Sequence, residues 1–167
     1  ASGIVPNSMT YSVLLDGLCK RGKIEEALNW IQAMWMNGLE PNVVHYTILI
    51  DGMCKAGFLK HSVELFEGLS SKGLNPNVRT HNVMINGLGK VGLSDEAYKL
   101  FSTMEDNDCL PTSSYNVMIR GFLRNKKTSK AIELLKEMVG KGLSADACTA
   151  TLFVNLLLCG VIDPSCF

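Results

Sequence analysis

The chain of 167 residues has no excess charge of either sign: 16 lysines and arginines stand against 16 aspartates and glutamates, and the formal net charge is zero. Overall charge therefore points to no polyanionic partner, and only local clustering of cations could do so. No apolar run approaches the roughly 18 residues of a membrane span, and the longest candidate, "TLFVNLLL" at 151–158, is far too short. No membrane partner is expected. No signal or transit segment is visible; "GIVPN" at 3–7 matches the end of a later repeated unit, so the chain is expected to start partway through a longer protein. The six cysteines include no C-x-x-C pair and no His/Cys grouping with zinc spacing. Cys19 and Cys54, 35 residues apart beside apolar neighbours, set the expectation of small buried thiols in a reducing compartment.

Catalytic constellations are equally scarce. There is no H-x-E followed by C-x-x-C as in zinc deaminases, no carboxylate cluster for a metal nuclease and no phosphate-binding glycine loop. Of the three histidines, His81 is expected to be packed, and His45 and His61 to lie on helix surfaces. Neither an enzymatic activity nor a cofactor or metal is expected.

What the chain does contain is a period. Pro6, Pro41, Pro76 and Pro111 are each 35 residues from the last. In step with them run a ring column (Tyr11, Tyr46, His81, Tyr115) and a glycine column (Gly17, Gly52, Gly87, Gly121). A cationic column (Lys20, Lys55, Lys90, Arg124) and a small-residue column (Ala27, Ser62, Ala97, Ala131) follow. One residue is lost between Pro111 and Tyr115, and at the last boundary, "GLSAD" at 142–146, Ala145 replaces the proline. A fixed period of this size marks a repeat architecture. The units are 8–42, 43–77, 78–112 and 113–146, with 1–7 ending a preceding repeat and 147–167 forming an incomplete fifth or cap.

Each unit reads as two helices. Tyr46, Leu49, Ile50 and Met53 fall at i, i+3, i+4 and i+7, one helical face, and Gly57 is placed to end that helix. Leu59, Val63, Leu65, Phe66 and Leu69 form a second stripe, closed by Gly73 and kept from the next helix by Pro76. Ser94 is placed as an N-cap in the third unit, and Ala27, Ala97 and Ala131 permit close helix approach. No β-alternation competes. The expected fold is all-α, an α-solenoid of stacked helix-turn-helix repeats, its hand left open by periodicity alone.

The pattern V-x-x-Y-[TSN]-x-L-I-D-G-x-C-K-x-G, followed by an alanine, "F-x-x-M" and "G-L-x-P-[ND]", resembles the pentatricopeptide repeat, and its 35-residue units resemble the P class. The resemblance covers Ser8 to Asp146 in four units, and the C-terminal stretch is similar to restorer-of-fertility-like members. The W-x-x-L-G-x-x-Y signature of the 34-residue tetratricopeptide repeat is absent.

The resemblance implies sequence-specific binding of single-stranded RNA, one base per repeat. Two residues per unit would read the base: one just after the ring column, the other at the unit's end. Carried over here these are Ser12 with Asn42, Thr47 with Asn77, Asn82 with Thr112, and Asn116 with Asp146, plus Thr151 alone in the fifth unit. The family's pairing tendency then gives 5′-A-A-C-U-3′. Met9, Val44 and Arg79 would pack beside bases. Ser113 or Ser114 offers little stacking area, so the fourth unit should bind most weakly. The resemblance also implies a role in RNA processing, stability or translation in a plant mitochondrion or chloroplast.

The residue types fit this work by themselves. All eight readers are short and carry a hydroxyl, amide or carboxylate, so few rotamers must be frozen to hold a donor or acceptor in place. The same residues also suit helix N-caps and turns. The cationic column would make a ladder of charge along an RNA backbone. Its simpler reading is a surface ion pair, because Asp16 and Asp51 lie four residues before Lys20 and Lys55; in the third and fourth units Asn86 and Arg120 replace the acid and the cation stays. Most other acids, including Glu25, Glu64, Asp95 and Glu133, belong to second helices. A protein-interaction scaffold on the same repeats is the competing function. The exposed repeat ends set an expectation of self-association, with Leu152, Phe153, Leu156 and Leu157 covering the fourth unit.

Overall fold

A computed structural model of the chain describes residues 7–104 and 111–162. Val5, Pro6, Cys109, Pro164 and Cys166 lie outside the described residues. Among the described residues there are nine α-helices, one short 3-10 turn and no strand. The helices are α1 (Ser8–Lys20), α2 (Ile24–Met36), α3 (Val43–Ala56), α4 (Leu59–Glu67), α5 (Val78–Lys90), α6 (Ser94–Ser102), α7 (Thr112–Arg124), α8 (Thr128–Gly140) and α9 (Ala147–Leu158). This is the all-α, α-solenoid class of helix-turn-helix repeats. The chain divides into two compact units, Ala1–Gly87 and Leu88–Phe167, so α5 gives residues 78–87 to the first and 88–90 to the second.

In the first unit α1 packs on α2 and α3, and α3 packs on α2 and α4. Helix periodicity sets what is buried: Tyr11, Leu15 and Cys19 from α1; Ile24, Ala27, Ile31 and Met34 from α2; Tyr46, Leu49, Ile50 and Met53 from α3. Each fully buried side chain of leucine or methionine size contributes about 1.5–3 kcal/mol of transfer free energy. In the second unit α7 is central and packs on α6, α8 and α9. It buries Tyr115, Met118, Ile119 and Phe122, joined by Phe101, Leu134, Met138 and Phe153. Two members of the ring column are tied down by their hydroxyls: Asn37 Nδ2 donates to the Tyr11 oxygen at 3.1 Å, and Lys141 Nζ, at the same spacing from its ring, donates to the Tyr115 oxygen at 2.6 Å.

Two members of the glycine column, Gly52 and Gly87, work by close approach. A Cβ on Gly52 would lie 2.6 Å from both Cβ and Sγ of Cys19, and one on Gly87 would lie 2.5 Å from Cys54 Sγ. In the second unit the cysteine's column is held by Gly89, whose added Cβ would come 3.3 Å from the Gly121 Cα. Asn125 Nδ2 bridges that contact, donating to the Gly89 carbonyl at 2.7 Å. The 35-residue spacing of Cys19 and Cys54 is therefore a packing feature, each thiol filling the notch of the next repeat's glycine. Of the two thiols expected to be buried, Cys19 is buried and Cys54 half-buried; Cys148 and Cys159 are exposed.

Three local features depart from the sequence reading. Ser94 is not an N-cap: Leu93 holds that position, and Ser94 is the buried first residue of α6, its hydroxyl without a partner among the described residues. The second helix of the second repeat stops at Glu67 rather than running to Gly73. Gly68 weakens the helix there, the Ser71 hydroxyl bonds the Gly68 carbonyl at 2.7 Å, and a 3-10 turn over Ser70–Lys72 carries the chain to Gly73 at φ 70°. In the fourth repeat Lys126, at φ 58°, stands where Gly22, Gly57 and Gly92 make the hairpin turn. A left-handed non-glycine residue costs about 1–2 kcal/mol, so this turn is the least favourable of the four.

The glycine contacts give a paired prediction. Gly17 is exposed with nothing within 4 Å of an added Cβ, so Gly17→Ala should stabilise by about 0.5–1 kcal/mol through helix propensity. Gly52→Ala should destabilise by about 1–2 kcal/mol, because Cys19 cannot yield without moving α1. Thermal unfolding of the two variants followed by circular dichroism checks the opposite signs.

Candidate nucleic-acid interface

Every α-helix begins with amide donors that lack an intrahelical partner. Here the first helix of each repeat meets that need with the last residue of the repeat before. Asn7 Oδ1 accepts from the Thr10 amide at 2.9 Å, and Asn42 Oδ1 from the Val44 and His45 amides at 3.0 and 3.4 Å. Asn77 Oδ1 accepts from the Thr80 amide at 3.0 Å, and Asp146 Oδ1 from the Thr149 amide at 2.8 Å. The capping reading of this column thus holds at Asn42, Asn77 and Asp146. Capping spends the oxygen and leaves the asparagine NH2 group for another partner.

Thr112 differs. It is the first residue of α7, in the place that Val43 and Val78 hold in their helices, and the N-cap is Pro111, without a side-chain bond. The residue lost after Pro111 has moved Thr112 one step past the column to which the 78–112 unit assigned it. Ser113 then falls in the column of Met9, Val44 and Arg79, and is exposed; Ser114 is buried.

The other members of the predicted pairs lie on the first helices just inside these caps. Thr47 and Asn116 are buried, Ser12 and Asn82 are half-buried and Thr151 is exposed. The structure brings two pairs together within single units. Asn116 Oδ1 accepts from the Asp146 backbone amide at 2.9 Å, while its Nδ2 donates to the Thr112 carbonyl at 2.9 Å. Thr47 and Asn77 are joined through Thr80: the two threonine hydroxyls lie 2.8 Å apart, and the Thr80 hydroxyl donates to Asn77 Oδ1 at 3.0 Å. Ser12 and Asn42 meet less directly. The Ser12 hydroxyl donates to the Ser8 carbonyl at 3.1 Å, and that carbonyl also takes a 3.0 Å bond from His45 Nε2. His45 Nδ1 accepts from the Asn42 amide at 3.0 Å. His45 is therefore fully buried, not a surface residue: both ring nitrogens are used in joining two repeats. His81 is packed edge-on against Phe66, ring centroids 5.3 Å apart, as the ring column required.

His45 and Thr80 belong to a column with Thr10, Ser114 and Thr149, of which Ser114 is buried with its hydroxyl unbonded among the described residues. Their signal is a polar column at spacings of 35, 35, 34 and 35 residues, inside an otherwise apolar helix face. Met9, Val44 and Arg79 lie next to this column and are exposed, Met9 to 76% and Val44 to 48%.

The cationic column splits into two kinds. Lys20 is paired with Asp16 at 2.6 Å and Lys55 with Asp51 at 2.5 Å. Lys90 and Arg124 are exposed and have no ion-pair partner among the described residues. Arg120, in the column of Asp16 and Asp51, turns to the next repeat: its Nη1 donates to both Asp146 oxygens at 3.0 and 2.7 Å and to the Thr149 hydroxyl at 2.9 Å. Burial pushes the Asp146 carboxyl up, but the Thr149 amide and the Arg120 guanidinium outweigh it and hold the carboxyl below its ordinary value. On the second-helix side, Lys127 and Lys130 both reach Asp95, at 2.8 and 2.9 Å, and bring it down to about 2. Cys19 is pushed up to about 11 by burial and by Asp16 and Asp51, which makes it an inert thiol. Among the described residues no group of three His, Cys, Asp or Glu side chains could hold a metal, and no helix is long and apolar enough to cross a membrane.

Helical hairpins whose first helices start at a polar cap and end in a cation define a helical-repeat protein. The sequence model of the PPR repeat family matches residues 6–55, 41–90, 76–114 and 112–158. The chain belongs to this family, the pentatricopeptide repeat proteins. It is similar to the crystal structure of the pentatricopeptide repeat protein PPR10 in complex with an 18-nucleotide psaJ RNA element: 26% identity, TM-score 0.82, covering 92% of this chain and 23% of that one. It is similar to PPR10 from maize, with a TM-score of 0.74, 26% identity, and coverage of 92% and 22%. Nuclear proteinaceous RNase P 2 from A. thaliana shares the fold at a TM-score of 0.66 and 14% identity, covering 92% of this chain and 35% of that one. The chain thus spans about a quarter of the length of the PPR10 structures.

The Asp146 geometry predicts a pH dependence. Its folded-state pKa is depressed, so its contribution to stability is present above the ordinary carboxylate value near 4 and is lost as pH falls through the lower folded value. Asp146→Asn should lower the thermal midpoint at neutral pH. It should also reduce the further loss between about pH 5 and pH 3, which melts of the two proteins over that range would show.

Proposed function

We propose that the chain binds single-stranded RNA through its repeats, one base to each, with 5′-A-A-C-U-3′ as its preferred tetranucleotide. The observation that carries this reading is the joining of the two reader columns by hydrogen bonds, Thr47 with Asn77 through Thr80 and Asn116 with Asp146 directly. Similarity to PPR10, crystallised with an RNA element, supports RNA as the ligand class. The first two bases are the best defined. The third is less well defined, because Thr112 is the first residue of α7 rather than its cap. At the fourth, Asp146 is engaged by Arg120, and Ser113 offers no stacking surface. Discrimination should therefore fall from the 5′ to the 3′ side.

Exposed Met9, Val44 and Arg79 would take the base faces, the last by guanidinium stacking. Lys20, Lys55, Lys90 and Arg124 would follow the phosphates. Lys90 and Arg124 need no exchange of partner to do so, whereas Lys20 and Lys55 give up exposed ion pairs of small worth. The chain would act by occupying RNA rather than by cutting it, in P-class fashion, in mitochondrial or chloroplast RNA processing, stability or translation.

Fluorescence anisotropy at low salt tests this with an unstructured RNA carrying AACU against the same RNA carrying GGUC. Preference for AACU is expected. Thr47→Asn with Asn77→Asp should move the preference at the second base from A to U by roughly five- to tenfold. Equal binding of both RNAs would leave only the cationic ladder, and no binding would favour a protein-interaction scaffold. The salt dependence should follow a slope of about −3 in log K against log salt, and Lys90→Ala should reduce its magnitude by about 0.7.

A further inference from the structure

The two residues that read a base come from the ends of one repeat and hold no direct bond to each other at Thr47 and Asn77. What joins them is the third residue of the following repeat. We infer that this residue is a positioning residue for base reading, with Thr80 setting the Thr47–Asn77 pair and His45 setting the Ser12–Asn42 pair. The inference rests on the base-reading function proposed above.

Thr80 is completely buried, so its hydroxyl cannot turn to water for a partner. It contacts three polar atoms: Thr47 Oγ1 at 2.8 Å, Asn77 Oδ1 at 3.0 Å and the Asn77 amide nitrogen at 3.3 Å. Two consequences follow. Asn77 Oδ1 is claimed by both the amide and the hydroxyl of Thr80, which fixes the orientation of the carboxamide. Its NH2 group is the end left outward, a donor suited to an acceptor on a base edge such as adenine N1. Secondly, the proton of Thr47 has two destinations, the Val43 carbonyl at 2.7 Å and Thr80. Thr47, Thr80 and Asn77 thus share two hydroxyl protons among three oxygen contacts. When Thr80 donates to Asn77, Thr47 can donate to Thr80 and present lone pairs to a base. Thr80 sets both the polarity of Asn77 and the proton of Thr47.

His45 performs the same task with a different group. It is fully buried; Nδ1 accepts from the Asn42 amide, and Nε2 donates to the Ser8 carbonyl that also holds the Ser12 hydroxyl. In the second unit the Thr149 amide holds Asp146 Oδ1 in the same way, but its hydroxyl receives the Arg120 guanidinium and Asn116 bonds the Asp146 amide directly, so the linkage through the third residue is argued for the Thr47–Asn77 and Ser12–Asn42 pairs alone.

Capping and positioning can be separated at Thr80, because the cap uses its backbone amide and the link to Thr47 uses its hydroxyl. Thr80→Val keeps the amide and the buried volume; Thr80→Ser keeps the hydroxyl. Affinities of the full 167-residue chain are measured for AACU and for the RNAs carrying each other base at the second position, with single changes at the first position as control. Thr80→Val should lose roughly five- to tenfold of the discrimination at the second base and none at the first, while Thr80→Ser retains it. His45→Leu should relax the first base alone, which keeps the test decisive if the valine variant does not fold. Discrimination at the second base unchanged in folded Thr80→Val, or lost equally at both bases, overturns the inference and leaves base reading intact. A wild-type chain indifferent to every base overturns both.

Discussion

The repeat junction is governed by the amide donors at the start of each first helix. They need an acceptor, and the chain supplies it from the residue that ends the previous repeat. Asn42, Asn77 and Asp146 therefore stand at fixed places relative to the helix that follows. That helix carries the partner column one turn further in, so the cap sets the distance between two polar columns. Where the cap fails, at Pro111, the register of Thr112 fails with it. Under the proposed function, capping and base recognition would be two uses of one side chain: its oxygen serves the helix, and its remaining polar group is left for a base.

A second constraint acts behind this edge. First helices of successive repeats approach closely enough that Gly52 and Gly87 have no room for a Cβ beside the cysteines before them. This draws buried polar side chains such as Thr47 and Thr80 into contact inside an apolar environment, where an unpaired hydroxyl costs about 1–3 kcal/mol. The polar atoms of the junction must then satisfy one another, and the resulting bonds hold them in few orientations. Rigidity of this kind is what a reader of one base requires, because short side chains discriminate only when their donors and acceptors are fixed in place.

Charge is arranged on the same plan. First helices end in the exposed cations Lys20, Lys55, Lys90 and Arg124 and hold few acids, whereas second helices carry the exposed acids Glu25, Glu26, Glu64, Glu67, Asp95 and Glu133 together with the exposed cations Lys60, Lys99, Lys130 and Lys136. The neutral total conceals this uneven placing of the acids. The two acids that do lie on first helices, Asp16 and Asp51, sit four residues before Lys20 and Lys55 and are paired with them. Arg120 breaks the pattern and binds Asp146 instead, which sets the fourth repeat apart from the second in both charge and reading edge.

Much of this was legible in the residues. The 35-residue period, the two helices per repeat, the buried stripe Tyr46, Leu49, Ile50 and Met53 and the end of α3 at Gly57 all depend on local preference and periodicity, which sequence carries directly. The capping role of the last column was legible for the same reason. Three things were decided only by tertiary structure. The burial of His45 and the hydrogen-bond linkage through Thr80 depend on residues 37 and 33 positions away, Ser8 and Thr47, and no local pattern encodes such a contact. The partner of Arg120 could not be read from its column, because helix spacing offers it only neighbours three or four residues away, whereas packing α7 on α9 brings Asp146 to it across 26 residues. Sequence determined which side chains were available at each repeat junction; the stacking of helices determined which of them meet.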